Sequence, residues 1–207
     1  MSNRPHHSGD LTFRESDHTY WLGEPDTGTR LLGANEILSG AGLVDTRHFS
    51  KAAAERGTFV HQATEYYDRE DMTLNEDELD DQIRPYLEAY KTFTQDCQAQ
   101  WAHIERRMCD PSLLLAGTID RIGTIRPIGK KKRKVVLDIK SGSSSGAPTH
   151  ALQLACYQHL VTRELLLQGA AVTLSTKPKV ERYALYLTKN GTYTLTHFTE
   201  RTDIAVF

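Results

Sequence analysis

Two aspartates and a lysine are the residues of this sequence best suited to hydrolytic chemistry: Asp120, Asp138 and Lys140. Asp138 and Lys140 lie two residues apart in the β-branched run 134–140, so on a strand their side chains share one face, opposite Val135, Leu137 and Ile139. If Asp120 lies on the neighbouring strand, two carboxylates and an ammonium group converge. Carboxylate oxygens suit Mg²⁺ or Mn²⁺, a bound metal polarises a phosphate and acidifies its water, and a lysine offsets the charge that develops. The set predicts phosphodiester hydrolysis, although a surface ion pair between Asp138 and Lys140 is the commoner explanation of so short a pattern.

Two helical residue pairs could complete such a site. His61 and Glu65 are four residues apart and therefore lie on one helix face, where a neutral His61 imidazole could bind a metal. Gln153 and Tyr157 have the same spacing on a later helix, and they could contact a phosphate or brace the lysine. The alternatives are a polar helix face with one histidine, and an amphipathic helix with Tyr157 at the edge of the core.

Glu105 is a third acidic candidate, in the strand before Asp120. Alternation along that strand predicts that Glu105 shares a face with Trp101 and His103. It could be a further metal ligand, or it could pair with one of three nearby arginines, Arg106, Arg107 or Arg121.

The hydrophobic periodicity predicts the elements that position these residues. We expect helices at 47–68, 77–96 and 150–168, strands at 101–109, 113–125, 134–140, 183–188 and 192–198, and a kink at Pro85 in the second helix. Before them, residues 11–22 and a return strand at 30–32 predict a hairpin, followed by a short helix from Ala34 to Leu38. This order predicts a single α/β or α+β domain.

Composition excludes several classes of protein. The chain has 207 residues with 39% hydrophobic and 25% charged residues, which is ordinary for a soluble globular domain. It contains no apolar run of about 18 residues and no signal-peptide core near the start, so we expect no membrane span and a reducing, cytoplasmic location. Three cysteines without CxxC spacing argue against a disulfide scaffold, a four-cysteine zinc site and an iron–sulfur cluster.

Five sequence blocks, taken in order, resemble the PD-(D/E)xK nuclease superfamily and within it the RecB-type exonucleases of recombination systems and phages. The blocks are RGTFVH (56–61), Glu105, AGTID (116–120), LDIKSG (137–142) and QLACY (153–157). HTYWLGE (18–24) and ANEIL (34–38) also look like the N-terminal region of phage members. The resemblance implies a restriction-endonuclease-like core, a central mixed β-sheet flanked by helices, with residues 1–46 as an N-terminal hairpin extension and 47–207 as the nuclease domain.

The resemblance also implies the roles of individual residues. His61, Asp120, Asp138 and the main-chain carbonyl of Ile139 would hold Mg²⁺ or Mn²⁺, with Glu105 as a less certain ligand. Lys140 would be the catalytic lysine, supported by Gln153 and Tyr157. Arg56 would contact a phosphate. Ile119 stands where the superfamily name has proline, which removes no ligand.

Charge is distributed unevenly along the chain, although the net charge is only −2. Residues 65–81 are strongly acidic, whereas Arg121–Lys134 carries seven basic residues and no acid, which predicts a basic surface. Its tip, Lys130, Lys131, Lys132, Arg133 and Lys134, could bind the DNA backbone. A nuclear localisation signal and a solvated hairpin turn are the alternatives.

Three functions fit these residues. The first is a metal-dependent DNA exonuclease in phage or bacterial recombination, replication or repair, with a separate single-strand annealing protein or helicase as its partner. The second is a junction or flap endonuclease with the same site. The third is a non-catalytic DNA-binding protein on a nuclease fold, against which the intact set of Asp120, Asp138 and Lys140 argues.

Overall fold

A computed structural model describes residues 10–44, 50–71, 74–142, 144–168 and 180–206. Within them, the strands are β1 (Leu11–Arg14), β2 (Thr19–Leu22), β3 (Thr29–Gly33), β4 (Gln100–Asp110), β5 (Leu115–Ile125), β6 (Arg133–Lys140), β7 (Glu181–Leu187) and β8 (Tyr193–Phe198). The α-helices are α1 (Ala34–Gly40), α2 (Lys51–Asp68), α3 (Arg84–Asp96) and α4 (Ala147–Leu167). Short 3₁₀ turns span Glu76–Glu78, Ser144–Gly146 and Thr202–Val206.

The described strands form one mixed sheet in the order β1-β2-β3-β5-β6-β7-β8. β3 and β6 pair with different parts of the same edge of β5, and β4 pairs with the opposite edge. The β3–β5 and β6–β7 pairs are parallel and the other pairs are antiparallel. Helices α2 and α3 cover one face of this sheet, and α1 and α4 cover the other. This arrangement confirms the mixed α+β class and is consistent with a restriction-endonuclease-like core.

Both faces of β6 are buried, which the sequence did not predict. Val135, Leu137 and Ile139 pack under α2 and α3, as their alternation indicated. Val136 lies on the face of Asp138 and packs into the second core, under α4. The face of β6 that carries Val136, Asp138 and Lys140 is therefore polar only at the carboxyl end of the strand, near the start of α4.

Local sequence explains where the helices begin. Ser50 caps α2, because its Oγ accepts a hydrogen bond from the Ala53 N–H at 3.1 Å. The expected helix at 77–96 is shorter than predicted: α3 begins at Arg84, so Pro85 lies in its first turn, where proline is tolerated, and the predicted kink was wrong. The part of the predicted first helix at 47–49 lies outside the described residues.

The N-terminal region is part of the same sheet. Residues 11–22 form two antiparallel strands, β1 and β2, rather than one arm of a hairpin, and β3 follows as a third. Leu32 and Gly33 of β3 pair in parallel with Leu115 and Ala116 at the start of β5. A boundary at residue 46 therefore divides a continuous sheet, and the two-part domain division stays a prediction.

Among the described residues, Arg121 is the largest fully buried side chain, at 0% exposed. Its guanidinium donates to Asp68 Oδ2 at 2.5 Å, to Glu105 Oε1 at 3.0 Å and to Thr64 Oγ1 at 3.2 Å. Tyr90 donates to the same Asp68 oxygen. These contacts join α2, α3, β4 and β5, so Arg121 does not contribute to the basic surface in which the sequence placed it.

Among the described residues, the helices are too short or too polar to cross a membrane.

We predict that Arg121→Met destabilises the protein by about 3–5 kcal/mol, because it leaves the buried Asp68 carboxylate and the partly buried Glu105 carboxylate without their cation. The matched control is Arg126→Met, since Arg126 is exposed and its substitution should change stability by less than about 0.5 kcal/mol. Urea unfolding monitored by circular dichroism measures both. Equal stabilities of the two variants would contradict the structural role of Arg121.

Candidate active site

The site forms where β5 and β6 separate. Their pairing ends at Arg121 opposite Leu137, although both strands continue beyond this pair. Since β4 occupies one edge of β5 along almost its whole length and β3 pairs with its first residues, positions 117–120 face a gap between β3 and β6. This gap frees main-chain groups of β6 near its end.

Two side chains contact the main-chain N–H and carbonyl of Ile139, which do not pair with β5. Asp120 Oδ2 accepts a hydrogen bond from the Ile139 N–H at 2.6 Å. His61 Nε2 lies 2.9 Å from the Ile139 carbonyl oxygen. Because a carbonyl only accepts, Nε2 carries the proton in this contact. Three of the predicted ligands, His61, Asp120 and Ile139, therefore meet at one point.

Glu105 joins this group. One ligand atom from each of His61, Glu105 and Asp120 lies within 4.8 Å of the others. His61 Nδ1 is 3.7 Å from Glu105 Oε1 and 3.6 Å from Asp120 Oδ2. The structure thus brings the less certain candidate into the cluster.

The strand that carries Glu105 does not alternate regularly. A register shift separates Trp101 from His103, and Glu105 itself has a left-handed φ of +49°. As a result, His103 contacts Arg106, which pairs with Glu164 of α4, whereas Glu105 contacts His61 of α2. The expectation that Glu105 and His103 share a face was wrong, because the left-handed backbone at Glu105 interrupts the alternation after His103.

The pKa values of the site residues are shifted because several acidic side chains are buried close together. Burial raises the pKa of both Asp120 and Asp138, despite the lowering effect of Lys140. Burial by itself would lower the pKa of His61, but the carboxylates of Asp120 and Glu105 outweigh it and raise that pKa to about 9. A pKa of about 9 keeps the His61 ring protonated at neutral pH in the metal-free site.

Asp138 faces the lysine. Lys140 Nζ lies 2.7 Å from Asp138 Oδ2 and donates to Gln153 Oε1 at 3.0 Å. Gln153 Nε2 in turn donates to Tyr157 Oη at 2.9 Å. Gln153 and Tyr157 thus form a hydrogen-bonded chain with the lysine, while the Tyr157 ring also packs in the core beside β5.

Gly117 allows α4 to approach β5 at this point. A Cβ atom at position 117 would lie 2.7 Å from Cε1 of Tyr157. The glycine of the AGTID block thus lets the Tyr157 ring, which holds Gln153, lie against the strand that carries Asp120.

The N-terminal strands contribute to the cleft in a way that the sequence did not indicate. His18 and Tyr20 line it together with Asn35, and Tyr20 Oη lies 2.9 Å from Thr118 Oγ1. The pairing of β3 with β5 brings these residues there. The HTYWLGE block contained the two residues, but no spacing rule connects them to Asp120.

Three groups of predicted residues lie apart from the cluster. Glu65 lines the cleft but pairs with Arg69 at 2.8 Å. Arg56 lies in a different depression, over the ring of Tyr86. The exposed basic tip, Lys130, Lys131, Lys132, Arg133 and Lys134, is at the start of β6, whereas Lys140 is at its end. Lys140 lies seven positions along the strand from Arg133, a rise of about 23 Å.

The donor set fits a divalent cation. It offers the carboxylates of Asp120, Asp138 and Glu105, one carbonyl oxygen and one imidazole, a set that suits Mg²⁺ or Mn²⁺. Asp138 is not part of the group formed by His61, Glu105 and Asp120, because its buried Oδ2 is paired with Lys140 Nζ at 2.7 Å, so it would bind a cation next to this ion pair. For a metal to bind His61, one ring nitrogen must first lose its proton.

The profile of the PD-(D/E)XK nuclease superfamily matches residues 73–201, which is more than half of the chain. The chain therefore belongs to this superfamily, a group of nucleases that typically use divalent metals, and DNA is the substrate that such a fold implies. The matched segment contains Glu105, Asp120, Asp138, Lys140, Gln153 and Tyr157, whereas Arg56 and His61 precede it. A comparison with curated proteins finds no match.

We predict that Gly117→Ala displaces the Tyr157 ring and costs about 1–3 kcal/mol of stability through overpacking. Gly57→Ala is the control, because a Cβ there meets only Ser141 Oγ, at 3.7 Å, and alanine is the better helix former by up to about 1 kcal/mol. Thermal unfolding compares the two. A Gly117→Ala protein as stable as Gly57→Ala would contradict the close approach.

We predict that the His61 ring in the metal-free protein titrates near pH 9, and that Glu105→Gln lowers this pKa by removing one carboxylate. Since the folded pKa exceeds the unfolded value, His61 stabilises the fold fully below about pH 6.5, and this contribution disappears as the pH rises through about 9. NMR titration of the imidazole measures the pKa, with Glu15→Gln as an exposed control. A ring that titrates near pH 6.5 would contradict the placement of His61 beside the Glu105 and Asp120 carboxylates.

Proposed function

We propose that the protein is a metal-dependent DNA exonuclease of the RecB type. One observation carries the proposal: the ligand atoms of His61, Glu105 and Asp120 lie within 4.8 Å of one another, beside a lysine that is held in place by Asp138 and Gln153. The exonuclease mode is supported by the order of the five sequence blocks, from RGTFVH to QLACY. A role in phage or bacterial recombination, replication or repair follows from the same resemblance.

We assign the metal to Asp120, Asp138, the Ile139 carbonyl and His61, with Glu105 as a further ligand or as the partner that orients His61. A divalent cation held there would polarise the scissile phosphate and lower the pKa of its water. Arg121 bonds to Glu105 Oε1 and to the main-chain oxygen of Asp120, so it fixes two of these residues from behind. The cation can be Mg²⁺ or Mn²⁺.

Lys140 is the catalytic lysine in this proposal. Its ammonium group, held between Asp138 and Gln153, would orient the attacking water and offset the negative charge that builds on the phosphate. Gln153 and Tyr157 act as positioning residues, because they reach the substrate through the lysine rather than directly.

The biological setting is part of the same proposal. A separate single-strand annealing protein or helicase would supply the substrate end, and the cytoplasm of a bacterial or infected cell is the compartment. The same site could serve a junction or flap endonuclease, which is why the decisive substrate is one without an end.

The proposal is tested with purified protein, Mg²⁺ or Mn²⁺, and linear DNA labelled at either end beside a closed circle of the same sequence. We expect loss of the linear DNA alone, with the label pattern reporting the polarity of digestion. Cutting of the circle would replace the exonuclease mode with an endonuclease mode. Stability of both substrates would contradict the nuclease assignment.

We predict that Lys140→Ala lowers the rate of hydrolysis by about 10²–10³-fold while metal and DNA binding persist, because it removes one group that stabilises the developing charge. Lys189→Ala, at an exposed position in the turn after β7, is the matched control and should keep full activity. Single-turnover cleavage and a filter-binding assay give the two quantities. Full cleavage by Lys140→Ala would show that the catalytic role is misassigned.

We predict that replacing Lys130, Lys131, Lys132, Arg133 and Lys134 with glutamine weakens DNA binding and reduces its salt dependence, because fewer counterions are released. Each lost phosphate contact should lower the slope of log K against log salt by about one. The chemical step should change little, since the tip lies at the far end of β6 from Lys140. An unchanged slope would mean that the tip is only a solvated turn.

A further inference from the structure

Helix α2 separates the catalytic cleft from a second groove. Gly57, His61 and Glu65 face the cleft, and Arg56, Phe59 and Ala63 face the second groove on the neighbouring stripe of the helix. This groove has a volume of about 530 Å³, which is within the size range of small-molecule sites. The segment between α2 and α3 forms its opposite wall.

The two depressions share one wall. Gln62 and Tyr66 line both of them, and Gln62 Nε2 donates to Tyr66 Oη at 2.7 Å. A chain that leaves the cleft therefore enters the groove after it crosses this single pair of side chains. The width of the crossing is at most that of one helix, about 10 Å.

The groove offers an aromatic ring to a ligand. Phe59 is 56% exposed, which is unusual for so large an apolar side chain, and the floor beside it is formed by Leu79 and Ile83. An exposed aromatic over an apolar floor fits a flat ring that stacks on it.

The groove also contains the guanidinium of Arg56, which has no anionic partner among the described residues. Arg56 makes no hydrogen bond or ion pair with the residues that the structure describes; its Nε is buried, and its guanidinium lies 5.9 Å from the centre of the Tyr86 ring. A buried guanidinium nitrogen without an acceptor is costly, so a ligand that brings an acceptor would stabilise it. A phosphate is the acceptor whose geometry the guanidinium matches best.

Acidic groups at the rim restrict what the rest of the ligand can be. Glu55, Glu78 and Asp80 line the groove, so a run of several phosphates would be repelled. A single nucleotide avoids this repulsion, because it brings only one phosphate, which meets Arg56, and an adenine, guanine or cytosine base presents an amino group to the carboxylates. The charges therefore favour one unpaired nucleotide over a duplex backbone.

We propose that the groove between α2 and the segment before α3 binds one unpaired nucleotide of the substrate strand, with its base stacked on Phe59 and its phosphate on Arg56. This inference rests on the proposed nuclease function and adds to it the substrate class: a strand that is single-stranded beside the cut. A nucleotide reaches this groove only after it has left the base stack, so duplex DNA binds productively only at an end or an opening.

The test uses single-stranded oligonucleotides with 2-aminopurine at one position, moved stepwise away from the cut site. Each is mixed with the Lys140→Ala protein and Mg²⁺, so that binding is observed without hydrolysis. We expect fluorescence quenching at one position, and we expect Phe59→Ala in the same background to abolish it and to raise the oligonucleotide Kd at least about fivefold. Leu113→Ala, which removes a similarly exposed apolar side chain from the turn before β5, is the control and should change neither quantity.

A second variant tests the phosphate contact separately. Arg56→Gln should weaken oligonucleotide binding and lower its salt slope by about one, whereas Arg56→Lys should retain the slope. In the nuclease assay, Phe59→Ala and Arg56→Gln should raise KM for single strands more than they lower kcat.

The possible outcomes separate this inference from the proposed function. If the unsubstituted protein cuts DNA but no 2-aminopurine position depends on Phe59, the groove is not a nucleotide site and the nuclease assignment stands. If a Phe59-dependent signal appears but no DNA is cut, the groove is supported and the nuclease assignment fails. If the oligonucleotides do not bind and the unsubstituted protein cuts no DNA, both proposals are overturned.

Discussion

The buried guanidinium of Arg121 is the contact on which the candidate site depends. It lies between the Asp68 carboxylate at the end of α2 and the Glu105 carboxylate of β4, and it bonds to the main-chain oxygen of Asp120. Removal of a charge from water costs several kcal/mol unless its partners are well placed, so the surrounding groups have little freedom. This constraint fixes the position of Glu105, and through Glu105 it sets the environment of His61. The stability of the core and the geometry of the site are thus coupled through one side chain.

The site also depends on the separation of β5 from β6. A continuous ladder would have used the main-chain groups of Ile139 in hydrogen bonds to β5. Because the ladder ends at Arg121 and Leu137, the Ile139 N–H binds Asp120 and its carbonyl meets His61. The irregular place in the sheet is therefore the place where polar groups are available for chemistry, and regular pairing on either side keeps it open.

Local patterns in the sequence predicted much of the fold. The two-residue alternation of Val135, Leu137 and Ile139 identified the face of β6 that packs under α2 and α3. The spacing of Gln153 and Tyr157 placed both side chains on one face of α4, and the structure links them by a hydrogen bond. Other features depend on contacts between distant segments. The burial of Arg121, the left-handed backbone of Glu105 and the pairing of β3 with β5 leave no local signal, because each is imposed by residues far away in the sequence. The proline in α3 shows the opposite case, since Pro85 did carry a local signal, for a helix start rather than for a kink.

The central claim is that the carboxylates around the end of β6 bind a divalent cation. Calorimetric titration of the metal-free protein with Mn²⁺ tests it most directly, without DNA and without turnover. We expect saturable binding that is lost in Asp120→Asn and retained in Asp26→Asn, whose carboxylate is exposed and lies outside the cluster. Equal binding by these two variants, or no binding by the unsubstituted protein, would contradict the account.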